Sequence, residues 1–185
     1  WTRQLAQPPQ ERQRVTLGVE AVGGTWRRAT VTVAIVSADR VHVGIAGELE
    51  SSMSGESSVA PQELVALVDK LAKEWDAKEV AFSRDAAAGP HLEDWAGAAG
   101  VRALPLTGRQ VRSASQLFRS ELVGGRLTHA DDPLLTVQMR AARPSDPIGT
   151  GDWYFSIPES TGEIDALRAC AWAAWAAISP GRSMP

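Results

Sequence analysis

Three β-type segments follow one another before the first helix of this 185-residue chain, and that order limits the folds open to it. In "VTLGVEAV" (15–22), Val15, Leu17 and Val19 alternate with Thr16, Gly18 and Glu20, the period of a half-buried strand. After a turn at "GGTWRR", the stretch "ATVTVAIVSADRVHVGIAGELE" (29–50) reads as two β-branched strands joined at "SADR". "SSMSGESS" is a polar loop, and helix and strand then alternate. "APQELVALVDKLAKEW" (60–75) puts Leu64, Leu67, Val68 and Leu71 on one helical stripe behind Pro61. "KEVAFSRD" (78–85) is a strand, "PHLEDWAGAAG" (90–100) a helix stopped by Gly100, and "VRALPLT" (101–107) a strand. Helices follow over 109–125 and 131–143, the second with Asp131 or Asp132 capping and Pro133 in its first turn. A strand at "DWYFSI" (152–157) precedes a last helix over about 163–178. Antiparallel strands followed by βα units make an α/β fold: a mixed sheet with helices on both faces.

The last helix, within "GEIDALRACAWAAWAAIS" (162–179), is apolar almost throughout after Leu167, so most of its tryptophans belong to the core rather than to a base-stacking platform. The 44% hydrophobic content suits one domain with a full-sized core. Cys170 is the only cysteine, which excludes a disulfide framework and reads as a small buried hydrophobe in a reducing compartment. The formal charge of -3 provides no global basic field, so binding to nucleic acid would need a local patch. No apolar run is long enough to span a membrane, and no signal peptide is recognisable. The opening "WTRQLAQPPQERQR" (1–14) is polar and Pro/Gln-rich, and reads as a linker from an upstream neighbour.

The ribonuclease-H-like fold has this element order, and it gathers carboxylates from the first strand, the end of the fourth strand and a late helix at one sheet edge. Glu20, Asp85 and Asp165 stand at those places. Clustered carboxylates suit divalent ions, which take hard oxygen donors. Each acid has a plainer reading. Glu20 is then a solvated strand end, Asp85 a turn former, and Asp165 a partner of the helix dipole beside Glu163, with Ser160 or Thr161 capping. Arg27, Arg28, Arg84, Arg109 and Arg126, with Arg112 and Arg119, are candidates for phosphate contacts or an ordinary solvated face. His129 in "GGRLTHADDP" is a metal ligand, a proton carrier or a loop histidine bonded to backbone, and His42 and His91 read as surface or capping residues.

Four stretches, "VTLGVEAV", "EVAFSRDAAAGPHLEDWAGAAGV", "RQVRSASQLFRSELVGGRLTHADDPLL" and "GDWYFSIPESTGEIDALRACAWAAWA", together resemble the C-terminal nuclease domain of the tailed-phage terminase large subunit. Their order and spacing carry the resemblance, above all a helix, then G-x-L-x-H-x-x-x-P-L, a strand, and a helix opening I-D-A-L. It implies a linker remnant over 1–14, a ribonuclease-H-like nuclease domain over 15–180 and a tail over 181–185. Glu20 takes the place of the family's first-strand aspartate and Asp165 that of its last-helix acid. The family's middle aspartate falls at Ser83, and Asp85 stands in for it if the strand continues, since residues two apart on a strand face one side.

The resemblance implies a metal-dependent endodeoxyribonuclease that cuts concatemeric double-stranded DNA during genome packaging, with two Mg²⁺ or Mn²⁺ ions held by Glu20, Asp85 and Asp165. Ser83 and His129 are supporting residues, and Arg27, Arg28, Arg84, Arg109 and Arg126 hold the DNA. Its partners are then double-stranded DNA, an upstream ATPase domain, the portal and the small terminase subunit, in the cytoplasm of an infected or lysogenic bacterium. One alternative is a catalytically weakened domain that grips DNA or docks on the portal. Another is a sugar-kinase-like ATPase, suggested by the Gly-Gly-Thr turn in "GVEAVGGT".

Overall fold

A computed structural model describes residues 1, 4–21, 27–51, 59–145 and 153–179. The three early segments form β1 (Arg14–Ala21), β2 (Arg28–Ser37) and β3 (Arg40–Glu50), each antiparallel to the next. α1 (Pro61–Trp75) then leads to β4 (Glu79–Ser83), α2 (Gly89–Ala99) to β5 (Arg102–Leu106), and both strands run parallel, β4 beside β1 and β5 beside β4. α3 (Gly108–Val123), a short strand β6 (Leu127–His129) and α4 (Pro133–Ala141) follow. The main sheet has the order β5-β4-β1-β2-β3-β6, a mixed ribonuclease-H-like sheet. Asp132, not Asp131, caps α4, its carboxylate accepting from the Leu134 and Leu135 amides at 2.9 and 3.1 Å.

Alternation along the strands sorts their side chains to two faces. Leu17, Val19, Val31, Val33, Val80 and Phe82 pack under α1 and α2, which contribute Leu64, Val68, Leu71, Leu92 and Ala96. The other face is covered by α5 (Asp165–Ile178) with α3 and α4. α5 is buried on nearly every side, as its composition demands. Its alanines let it lie very close to the sheet, and Gly18 makes the approach possible: a Cβ there would sit 2.1 Å from the Ala169 carbonyl oxygen. Cys170 is free and buried, and burial pushes its thiol up.

Several expectations need correction. β6 pairs in parallel with the outer edge of β3, although "LTH" is too short and polar to read as a strand. The expected strand at 152–157 is Tyr154–Ser156 (β8), and among the described residues it pairs with β7 (Arg143–Ser145) in a separate two-stranded sheet, outside the main one. The helix expected to reach 143 ends at Ala141 because Arg143 joins that hairpin. His42, read as a surface or capping residue, is buried beside Thr128, and burial, with the nearby His129, pushes its imidazole down to about 4. Within the segment read as a linker, Trp1 stacks on His129 at 3.6 Å, and the Ala6 amide donates to the His129 carbonyl. The Gly-Gly-Thr turn and the tail at 181–185 lie outside the described residues.

Candidate active site

The end of β1 that carries Glu20 defines a row of side chains across one face of the sheet. Glu20 pairs with Thr30 of β2, and Thr30 pairs with Glu48 of β3. Directly paired residues point to the same side. On the other flank the β1–β4 register runs to Val19 beside Phe82, so its next step sets Ser83 beside Glu20. The N-terminus of α5 crosses above this row. Thr30 Oγ1 donates to Asp165 at 2.6 Å, which hangs the last-helix acid directly over the sheet next to Glu20.

The two acids live in different surroundings. Asp165 is engaged by Arg28, whose Nε donates to Oδ2 at 3.1 Å and whose Nη2 contacts Oδ1, and by the Gln138 amide at 2.8 Å. Arg28 also reaches Glu163 at 2.6 Å. Burial pushes the Asp165 carboxyl up, and the bonds from Arg28 and Thr30 more than offset it, so it stays below the usual aspartate range. Among the described residues Glu20 receives a single bond, from Arg168 Nη1 at 3.1 Å. Its Oε2 is buried with no partner among the described residues. Burial raises the Glu20 carboxyl, Arg168 lowers it and the Asp165 charge raises it, leaving it at about 7. The Asp165 charge is thus felt at Glu20, as expected of two carboxylates in one pocket. Burial likewise raises Glu48, against the pull of Arg28.

The third expected acid does not join them. Asp85 lies exposed in a turn, because the chain leaves β4 at Ser83 and the Ala86 amide bonds back to the Ser83 carbonyl. The strand alternation that would bring Asp85 to the face of Ser83 stops there. Among the described residues no three His, Cys, Asp or Glu side chains cluster closely enough to hold a metal ion. Of the two acids above this row, Glu20 offers a buried oxygen without a partner among the described residues, whereas both oxygens of Asp165 are engaged by Arg28, Thr30 and Gln138.

The basic candidates divide by position. Arg28 sits in the pocket, tied to Asp165 and Glu163. Arg27 is exposed just before β2, Arg84 is exposed in the turn after Ser83, and Arg109 is exposed in the first turn of α3, at the edge where β4 and β5 end. Arg126 is held by Glu121 at 2.7 Å and flanks the β2–β3 turn, at the opposite end of β2 from Arg28. His129 is buried under Trp1, with its ring nitrogens 2.6 and 3.2 Å from the Ala130 and Trp1 carbonyl oxygens. Two participants escaped sequence reading. Gln138 bonds Asp165 and accepts from the Leu167 amide at 3.0 Å, so α4 satisfies an open N–H in the first turn of α5. The expected caps do other work: Ser160 Oγ donates to Ser156 and Thr161 Oγ1 to Ala141. Arg168, one helical turn after Asp165, faces the same pocket, a placement that the three-residue spacing on α5 already contains.

Solved structures share this architecture. The HK97 bacteriophage large terminase superposes with a TM-score of 0.76 at 17% identity, over 96% of this chain and 42% of that one. A large terminase from a thermophilic bacteriophage gives 0.66 at 11% identity, over 92% of this chain and 41% of that one. The large terminase nuclease of thermophilic phage G20c, crystallised with magnesium, gives 0.62 at 14% identity, over 87% of this chain and 80% of that one. The chain therefore has the fold of a terminase nuclease domain and spans about two fifths of the first two terminases. No family model and no curated protein matches it. Among the described residues, no helix is long and apolar enough to cross a membrane.

Proposed function

We propose that this chain is the nuclease domain of a phage terminase large subunit and cuts double-stranded DNA with a divalent metal, Mg²⁺ or Mn²⁺, at Glu20 and Asp165. The observation that carries the reading is the meeting of these two acids, distant in sequence, over one row of the sheet, with Glu20 Oε2 left buried and unpaired. A divalent cation, when bound, supplies positive charge against the phosphate and lowers the pKa of water. Asp165, held rigidly by Thr30 and Gln138, fixes one side of that position, and Glu20 supplies the adaptable side. Arg84 and Arg109 lie where a DNA backbone would run past the strand ends, and contacts of this kind carry little sequence preference. An upstream ATPase domain, the portal and the small terminase subunit are the partners this reading entails, within the cytoplasm of the bacterial host.

A specific observation favours a second reading. Ser83 stands beside Glu20 where the family carries an acid, Asp85 is exposed in a turn, and both pocket acids are already paired with arginines. Such a domain holds DNA and cuts it slowly or not at all. Nicking of a supercoiled plasmid in Mn²⁺ decides between them. The nuclease reading expects cleavage that falls at least about a hundredfold in Glu20→Gln and in Asp165→Asn, the scale of losing a group that acts in the transition state. Cleavage that survives both substitutions, or a wild-type chain that binds the plasmid without cutting it, overturns that reading.

A further inference from the structure

Arg168 and Glu20 form an imperfect pair. An arginine and a carboxylate that meet as fork against fork make two parallel bonds and leave few donors idle. Arg28 and Asp165 approach that arrangement, with Nε on one oxygen and Nη2 on the other. Arg168 instead gives Glu20 one bond, through Nη1 at 3.1 Å. What remains unmatched is buried on both sides: among the described residues the Arg168 Nε–H has no acceptor, and Glu20 Oε2 has no donor. A buried N–H of a charged group without a partner is costly and rare, and it marks a place where a further partner belongs. The guanidinium is also preset by its surroundings. It lies 5.0 Å from the centre of the Trp172 ring, and its stem leaves α5 one turn after Asp165. The group is thus cationic, incompletely bonded and partly exposed beside the acid pocket.

We infer that Arg168 is a phosphate ligand of this domain, parked on Glu20 in the free protein and transferred to a DNA backbone phosphate when duplex binds. The inference rests on the nuclease-domain reading for the identity of the anion as double-stranded DNA. The idle Nε–H and an Nη–H then form the two-pronged grip that a phosphate accepts, and Glu20 is released to use both of its oxygens. Arg28 is not equivalent, because Asp165 and Glu163 already occupy its fork.

Two measurements on the 185-residue chain, both in EDTA, test this. The first is titration of a short duplex followed by the ¹⁵N–¹H resonance of Arg168 Nε, assigned by its loss in Arg168→Lys. The expected result is a saturable downfield shift with slowed solvent exchange, and an unmoved resonance at saturating duplex overturns the inference. The second is duplex affinity by fluorescence anisotropy across a salt series. Arg168→Met is expected to bind about tenfold more weakly, with the log–log salt slope reduced by about 0.9, the value for one B-DNA phosphate contact. An unchanged affinity and slope in a folded Arg168→Met overturn the inference. If that variant fails to fold, the resonance measurement on the unaltered chain decides alone. Neither measurement needs metal or cleavage. A chain that never cuts DNA but passes both retains the phosphate ligand and loses the nuclease assignment. One that cuts DNA but fails both loses only the ligand.

Discussion

Two buried glutamates sit at opposite ends of the paired strands β1 and β4, and their surroundings are opposites too. At the start of β4, Glu79 is bonded by Arg14 through Nε and Nη2 at 2.6–3.1 Å, by Arg102 at 3.2 Å and by Thr16 at 3.4 Å. Both of its oxygens are served, and the three donors come from the neighbouring strands. At the end of β1, Glu20 has one bond and one idle oxygen among the described residues, and burial raises its carboxyl to about 7. The same residue type, at similar burial on the same strand pair, is a finished structural ion pair in one place and an unfinished one in the other. Packing alone did not demand the unfinished state, since the fold demonstrably completes such a pair a few residues away. Buried carboxylates that stay under-bonded in a cleft with a second acid are candidates for function.

The largest expected effect would erase the contrast altogether. Gly18 lies between the two ends of β1, and its hydrogen faces the Ala169 carbonyl. Gly18→Ala drives a Cβ into backbone, also 2.8 Å from Thr32 Oγ1, and neither neighbour is a flexible tip. We expect a loss of more than about 4 kcal/mol in urea unfolding, or no folded protein, because α5 must lift and carry Asp165 and Arg168 with it. A variant within about 1 kcal/mol of the parent would show that α5 is not seated as described. Next comes Glu79→Ala. Removing the carboxylate strands Arg14, which is three-quarters buried, and the expected loss is about 3 kcal/mol. A near-neutral result would reduce Glu79 to a surface ion pair and remove the benchmark against which Glu20 looks unfinished.

Glu20→Gln is expected to do the reverse. The Glu20 carboxyl is raised from 4.5 to about 7, so between those values the unfolded chain loses its proton while the folded chain keeps it. The neutral acid's contribution is therefore fully present below pH 4.5 and is lost as pH rises through about 7. Glutamine carries no such charge. In EDTA the variant should match the parent near pH 4.5 and exceed it by roughly 2 kcal/mol at about pH 8, discounted from the full shift because Arg168 loses its anion. A pH-independent difference, or a variant destabilised in mild alkali, would mean that Glu20 is as settled as Glu79.

Most of the architecture was legible in the sequence because long periodic segments announce themselves. The alternation through Leu17 and Val19, the β-branched run from Ala29 to Ile35 and the stripe of Leu64, Val68 and Leu71 each specify a face. β6 was not legible, since three residues contain no period and "LTH" joins the sheet only because β3 offers an open edge. The place of Glu20 and Asp165 in one pocket follows from the fold, which the element order already suggested. Their bonding does not follow from it. Gln138 is an ordinary polar residue on α4 until α5 crosses it, and Arg168 looks like any helical cation until its partner on β1 is known.

The smallest expected effect separates the two candidates for the middle acid. Reading Asp85 as a stand-in for the acid absent at Ser83 assumed that β4 continues for two more residues. The chain instead turns: the Arg84 amide reaches across to the Leu106 carbonyl, and the Ala86 amide closes back on Ser83. Asp85 is thereby turned out into solvent, while Ser83 holds the position next to Glu20. Asp85→Asn should accordingly change stability by less than about 0.5 kcal/mol and leave Mn²⁺ affinity, read by electron paramagnetic resonance, within about twofold. Ser83→Asp restores a carboxylate beside the two that meet, at the price of more repulsion among them without metal. It should lose stability in EDTA, and Mn²⁺ should bind at least about tenfold more tightly, because a third hard oxygen donor enters the same pocket. If Asp85→Asn abolishes Mn²⁺ binding while Ser83→Asp leaves it unchanged, the turn after β4 must rearrange around the ion, and Asp85 rather than position 83 completes the site.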